Sequence, residues 1–69
     1  MTVVEAKKKY NEQLKRYYKA VKYFEREDIT QEQKEENLNN YKIVLNNLNY
    51  LLSKVGSFEE DEVLGGFEI

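Results

Sequence analysis

The chain has 69 residues and a net charge of −2, and it contains no cysteine, histidine or proline. A domain this short gains only about 3–5 kcal/mol from its own core and often needs a cross-link, a metal or a partner. Without cysteine or histidine, disulfides and thiolate metal sites are excluded, and the commonest metal ligand and neutral-pH proton carrier are missing. The composition therefore favours stabilisation by self-association, and we expect no bound metal or cofactor.

The first apolar series predicts an amphipathic helix over about residues 3–27. Thr2 and Glu5 fit a capping box at its start, in which side-chain oxygens accept hydrogen bonds from free backbone amides. Apolar side chains then recur at the spacing of one helix face. They are Val3, Tyr10, Leu14, Tyr17, Val21 and Phe24.

A second helix is predicted over about 31–55, after a break at Glu27-Asp28-Ile29. Thr30 and Gln33 fit another capping box, and Gly56 can adopt a left-handed C-terminal cap. Two additional apolar residues widen the apolar arc to roughly 140° at 100° per residue, more than a two-helix seam requires. The regular series is Leu38, Tyr41, Leu45, Leu48, Leu52 and Val55, and the additional residues are Val44 and Leu51.

The two apolar series match in antiparallel register when the chain folds back at Ile29, which is strong support for a helical hairpin. The predicted pairs are Phe24–Leu38, Val21–Tyr41, Tyr17–Leu45, Leu14–Leu48 and Tyr10–Leu52. The fold class is therefore all-α: an antiparallel hairpin in a single domain, 1–69, with a short third helix over about 58–64. We expect it to pack as a dimeric four-helix bundle, because one hairpin leaves apolar surface uncovered.

The third helix lies in an acidic segment, 57–69, with a hydrophobic end. Ser57 and Glu60 fit a capping box for it, and Gly65-Gly66 would end it. Two roles are open to this segment: it folds back to close the end of the hairpin, or it docks on a partner through Phe67 and Ile69. Folding back would use Phe58, Val63, Leu64 and Phe67. The segment resembles the acidic, hydrophobic-ended tails of bacterial single-stranded-DNA-binding proteins in composition alone, and no function follows from that likeness.

No set of residues indicates catalysis. A nucleophile and its base would have to come from serine, threonine, lysine, tyrosine and carboxylates, and three of the four hydroxyl residues fit helix caps. The acidic run Glu59-Glu60-Asp61-Glu62 lacks the spacing of a calcium loop and suits a helix start. We therefore predict that the chain is not an enzyme and has no small-molecule substrate. It also lacks an apolar stretch long enough for a signal peptide or a membrane span, so we expect a cytoplasmic protein with no membrane partner.

Positive charge is concentrated on one side of the first helix. Residues 1–28 carry a net charge of +3 and residues 29–69 carry −5. A basic stripe falls within roughly 60° of helix surface. Tyr18 flanks it, and Tyr23 is predicted to point well away from the seam. The members of the stripe are Lys8, Lys15, Lys19, Lys22 and Arg26. Lysines interleaved with tyrosines could bind a phosphate backbone and stack bases, an acidic protein could take the same place, or the stripe could be solvated.

Ile43 and Tyr50 form a second candidate surface. They are seven residues apart, opposite the predicted seam of the second helix, with asparagines around them. Two apolar residues one heptad apart can anchor a contact, whereas single exposed ones carry no meaning.

Three functional hypotheses follow. The first is a small protein-binding regulator, inhibitor or adaptor, whose size and AT-rich residue mix are typical of phage or mobile elements. The second is a nucleic-acid-binding dimer that uses the basic stripe twice. The third is a structural component that only assembles with itself. Homodimerisation is expected in the first two.

Overall fold

The computed structural model describes residues 1–69 and consists of three helices. Helix α1 spans Val3–Phe24, α2 spans Gln31–Val55 and α3 spans Glu60–Gly65. Helices α1 and α2 pack against each other in an antiparallel hairpin measuring 40 × 19 × 15 Å. The predicted all-α hairpin with a short third helix is confirmed.

The bend between α1 and α2 begins earlier than predicted, because α1 ends at Phe24 and not at 27. The amide of Arg26 donates to the carbonyl of Tyr23, a tightened last turn. The guanidinium of Arg26 then holds Asp28 through two hydrogen bonds of 2.9 and 2.6 Å. This bidentate pair stabilises the turn and lowers the pKa of Asp28, first through its hydrogen bond and also through its charge.

The predicted capping box of α2 is complete, whereas only the threonine half of the one predicted for α1 is present. Thr30 and Gln33 form a complete capping box: each side-chain oxygen accepts a hydrogen bond from the other's backbone amide, at 3.1 and 2.9 Å. At Thr2 the hydroxyl accepts from the amide of Glu5 at 3.1 Å. Gly56 ends α2 with φ +84°, the positive angle predicted for it.

The predicted start of α3 is wrong. Glu59, not Ser57, is the N-cap, and the side chain of Glu62 accepts a hydrogen bond from the Glu59 amide at 3.0 Å. Residues 56–59 are not helical, because the chain uses them to cross from the end of α2 to α1. The short helix therefore starts two residues later than expected, at Glu60.

The buried core occupies one end of the hairpin. We call this end the terminal half; it comprises α1 up to Leu14, α2 from Leu48 onward and the C-terminal segment (57–69). The rest of α1 and α2, with the bend between them, is the bend half. All buried residues lie in the terminal half: Ala6, Tyr10, Leu14, Leu48, Leu51, Val55 and Phe67.

Aromatic rings pack the seam of the bend half. The Tyr41 ring lies 5.8 Å from Tyr17 and 5.6 Å from Phe24, measured between centroids. Tyr41 thus sits at the level of Val21, as the predicted register requires. Leu38 was predicted in this seam, but its side chain is 42% exposed, since no third element reaches that end.

Candidate protein-binding surfaces

The C-terminal segment covers one side of the terminal half. The ring of Phe67 is 5% exposed and meets Tyr10 edge to face, with centroids 5.2 Å apart. The Tyr10 hydroxyl donates to the carbonyl of Val63 at 2.6 Å, and the Tyr18 hydroxyl donates to the carbonyl of Leu64. Of the two roles open to this segment, folding back is the one that the structure shows.

The side-chain amide of Asn11 forms two hydrogen bonds with the backbone of Phe67. Its side-chain nitrogen donates to the Phe67 carbonyl at 2.8 Å, and its side-chain oxygen accepts from the Phe67 amide at 2.7 Å. Gly66, which precedes Phe67, has a φ of +94°. A Cβ added at Gly66 would lie 2.8 Å from the same Asn11 oxygen. A glycine is therefore required at this position on two grounds, backbone angle and space.

The residues that close the hairpin differ in part from those predicted. Phe67 provides the apolar lid, and Lys7 places its ammonium 5.5 Å from the ring centroid of Phe67, a cation–π contact. Phe58 and Leu64 remain 43% and 58% exposed, so their predicted part in the lid is wrong. Partner docking through Phe67 would require release of this segment, whereas Ile69 is 63% exposed as it stands.

The opposite side of the seam carries no covering segment, and we call it the open face. On α1 the open face is lined by Arg16 and Ala20. The two α1 residues that contact the C-terminal segment are Asn11 and Tyr18. The two pairs lie roughly 140–180° apart around the helix. Two adjoining clefts of about 400 and 360 Å³ run along the open face.

The larger cleft lies in the bend half. Its apolar lining comes from both long helices: Ala20, Tyr23, Phe24, Tyr41, Ile43 and Val44. Arg16 and Lys19 border it on α1, and Asn40 and Asn47 border it on α2. The smaller cleft continues beside Tyr50 and Leu51, with Lys9 and Glu12 at its edge. An apolar floor with a polar border is the usual composition of a protein interface.

Gln13 and Asn47 line both clefts, so they mark the centre of the open face. The side-chain oxygen of Gln13 is buried and accepts no hydrogen bond. A buried acceptor without a partner costs about 1–3 kcal/mol.

The structure places the two predicted apolar residues of α2 on the open face. Ile43 lines the larger cleft and is 49% exposed, and Tyr50 lines the smaller cleft and is 55% exposed. The ammonium of Lys54 lies 5.2 Å from the ring centroid of Tyr50. These two residues, predicted together from heptad spacing, therefore share one surface.

The basic stripe divides into three environments. Lys8, Lys15 and Lys22 are exposed, and none forms an ion pair within the chain. Lys19 is also exposed and borders the larger cleft. Arg26 is engaged with Asp28, and that hydrogen bond raises the pKa of its guanidinium further.

Tyr18 and Tyr23 both have structural contacts. Tyr18 is 42% exposed but holds the C-terminal segment through its hydroxyl. Tyr23 was predicted to point well away from the seam; instead its hydroxyl accepts a hydrogen bond from the Asn37 side chain of α2 at 3.2 Å. That bond across the bend turns the ring into the larger cleft, with Arg26 5.9 Å from its centroid.

Sequence reasoning missed several residues of these surfaces. Gln13 and Asn47 carry no periodic signal, because polar residues are expected at most helix positions. Val44 and Leu51 did carry one, since they widened the apolar arc of the second helix toward the open face. Asn11 gave no indication of its part in holding Phe67, which depends on a contact 56 residues away in the chain.

No group of three or more acidic side chains is placed to hold a metal ion, and no helix combines the length and hydropathy needed to cross a bilayer. No protein-family model matches the chain, and comparisons with curated proteins and with solved structures found no similar protein.

Proposed function

We propose that this chain is a small, non-enzymatic protein-binding module, a regulator or adaptor, and that the open face is its docking surface. The observation that carries this proposal is the pair of adjoining clefts on the open face, where residues of both long helices form an apolar lining that no other element covers. Half-exposed Ile43 and Tyr50 stand beside those clefts.

The chemistry of the open face suits a protein partner. The floor is apolar and aromatic, and a partner that covers it gains about 25 cal/mol for each Å² of apolar surface removed from water. The border combines cations on α1 with asparagine amides on α2, which supply directional hydrogen bonds without the desolvation cost of buried charge. Aromatic residues and arginine are the side chains that most often dominate binding energy in such surfaces.

Site-specific photocrosslinking in the native host tests this assignment. A photoreactive phenylalanine analogue would replace Ile43 or Tyr50, and in a matched control it would replace Leu64, which is equally exposed on the other side. We expect crosslinks to a defined protein from positions 43 and 50 and not from 64. Crosslinks from position 64 alone, or none from 43 and 50, would contradict the proposal.

A second candidate, nucleic-acid binding through the basic stripe, is favoured by one observation. Lys8, Lys15, Lys19 and Lys22 have no ion pair within the chain and are therefore free to neutralise phosphates. Affinity would then fall steeply with salt, because each neutralised phosphate releases counterions. Gel retardation at low salt, lost when Lys15, Lys19 and Lys22 are changed to glutamate, is expected; an unretarded wild type would exclude it.

A further inference from the structure

The chain exposes more surface than its mass predicts for a self-sufficient monomer. Its accessible surface is 5366 Å². A folded monomer of 8.3 kDa is expected to expose about 4,600 Å². The excess, about 800 Å², equals the area that one partner buries in a protein interface of standard size.

The α2 side of the open face is complementary to itself. If two copies of α2 cross antiparallel at Asn47, Ile43 of each copy comes level with Leu51 of the other. Val44 of each copy likewise comes level with Tyr50 of the other. Apolar residues then lie level with apolar residues on both sides of the crossing, the pattern of an isologous twofold interface. Leu51 is 5% exposed and contributes only the edge that lines the smaller cleft.

The α1 side is complementary about the same axis. Glu12 and Arg16 lie one turn apart on either side of the crossing, so each Glu12 comes level with the second copy's Arg16. Neither side chain has an ion pair within the chain. Lys9 and Lys19 come level with each other at the exposed edge, where water and salt screen their repulsion.

The unpaired side-chain oxygen of Gln13 lies near the centre of this crossing. Gln13 lies one residue from the level of the axis and lines both clefts together with Asn47, so the side-chain amides of the second copy are the nearest donors. An amide that carries both a donor and an acceptor can form reciprocal hydrogen bonds with its own symmetry copy. A rotation of the Gln13 side chain that turns its buried oxygen toward the second copy would give that oxygen a partner without any charge being buried.

We propose that the occupant of the open face is a second copy of this chain, packed about a twofold axis that crosses α1 near Gln13 and α2 at Asn47. The two bends then lie at opposite ends of a four-helix bundle. A twofold axis parallel to the helices is disfavoured, because it sets Ile43 against Lys19 and Tyr50 against Glu12. This inference rests on the proposed function only in taking the open face as a docking surface.

Sedimentation equilibrium over a wide concentration range tests the association. We expect a closed monomer–dimer equilibrium with no larger species. Ile43→Asp and Tyr50→Asp should each raise the dimer dissociation constant at least about tenfold, the effect of losing an anchor side chain. Leu38→Asp is the matched control, since Leu38 is an exposed apolar residue of α2 outside both clefts, and it should leave the constant unchanged.

The arrangement is tested by a distance between the two bends. The chain has no cysteine, so Glu27→Cys introduces one site for a nitroxide label. Position 27 lies about 20 Å from the axis at 1.5 Å per residue, so labels at opposite ends would be about 40 Å apart. Bends at the same end would bring them to within about 20 Å, given interaxial distances of 8–10 Å.

The outcomes separate this inference from the proposed function. A wild type that stays monomeric up to millimolar concentration, equal weakening by the Leu38 control, or a short distance between labels would each overturn the arrangement proposed here. In the first case, crosslinks from positions 43 and 50 to a different protein would still support the open face as a docking surface. Their absence would remove both proposals.

Discussion

The terminal half and the bend half of this hairpin contain similar side chains but cover them very differently. Tyr10, in the terminal half, is 1% exposed because Phe67 packs on its ring, and its hydroxyl donates a hydrogen bond to the carbonyl of Val63. Tyr41, in the bend half, touches two other aromatic rings and is still only partly buried. Two packed helices are thus insufficient to bury an aromatic side chain, and the third element decides where the core forms.

The energetic contrast between the halves follows from that covering. A fully buried large apolar side chain contributes about 1.5–3 kcal/mol relative to an exposed one. All the fully covered positions of this chain are in the terminal half. We therefore expect the free energy of unfolding to depend mainly on the terminal half, while the bend half provides surface for contacts.

The largest expected effect is that of removing the lid. Phe67→Ala should lower the free energy of unfolding by about 3–5 kcal/mol, enough to unfold much of a chain this small. Phe24→Ala, which removes the same ring from the bend half, should cost clearly less, because Phe24 is already partly solvated. Urea unfolding followed by circular dichroism compares the two, and equal losses would break the contrast between the halves.

A smaller loss is expected at the glycine beside Asn11. Gly66→Ala should destabilise the chain by about 1–3 kcal/mol, because its φ is +94° and its new Cβ would press on the Asn11 oxygen. Gly65→Ala is a close control: no atom lies within 4 Å of its added Cβ. That control should be neutral or stabilise by about 0.4–1 kcal/mol. Thermal melts of the two variants measure the difference, which should vanish if the C-terminal segment is not docked.

A comparable or smaller effect is expected at high pH. Burial, and secondarily the nearby Tyr18, raise the pKa of Tyr10 above its ordinary value of 10.0. A group whose pKa is raised on folding stabilises the fold below its unfolded pKa, and that contribution is lost as pH rises through the folded value. Stability should therefore fall above about pH 10, as the hydroxyl loses the proton that it donates to Val63.

Tyr10→Phe isolates that contribution. The variant should lose about 0.5–1.5 kcal/mol at neutral pH, the usual net value of one hydrogen bond. Its stability should decline less than that of the wild type as pH rises past 10, since position 10 no longer ionises. An identical alkaline decline in both proteins would show that another tyrosine is responsible.

The smallest expected effect is the difference in stability loss when the cap of one long helix or of the other is removed. Thr30→Ala removes a hydroxyl from a complete capping box in the bend half and should cost about 1 kcal/mol. Thr2→Ala removes a single hydrogen bond at the exposed start of α1 and should cost a few tenths of a kcal/mol less. Amide exchange in the first turn of each helix gives the local readout, and a larger loss at Thr2 would reverse the expected order.

Local and periodic signals in the sequence predicted most of the fold. Side chains at three- and four-residue spacing identified both long helices, and the Thr30–Gln33 and Gly56 caps set the limits of α2. The antiparallel register followed because two independent apolar series had to meet face to face. Each of these signals depends on residues close together in the chain.

The features that sequence did not predict depend on contacts between distant residues. Ser57 and Glu60 fit a capping box as well as the actual N-cap does, and only the path from α2 to α1 places the start of α3 at Glu60. Tyr23 has the position of a solvent-facing residue, yet Asn37 draws its hydroxyl toward α2. The surplus width of the apolar arc did predict uncovered surface, although it could not say on which side the C-terminal segment would lie.

The paired hydrogen bonds between Asn11 and Phe67 determine which variants of the C-terminal segment this fold can accept over evolutionary time. An amide that satisfies both polar groups of one residue recognises peptide backbone and is indifferent to neighbouring side chains. We therefore expect substitutions to be tolerated at the outward-facing positions, and an aromatic residue to be retained at position 67, opposite Tyr10. The outward positions nearest this contact are Leu64, Glu68 and Ile69.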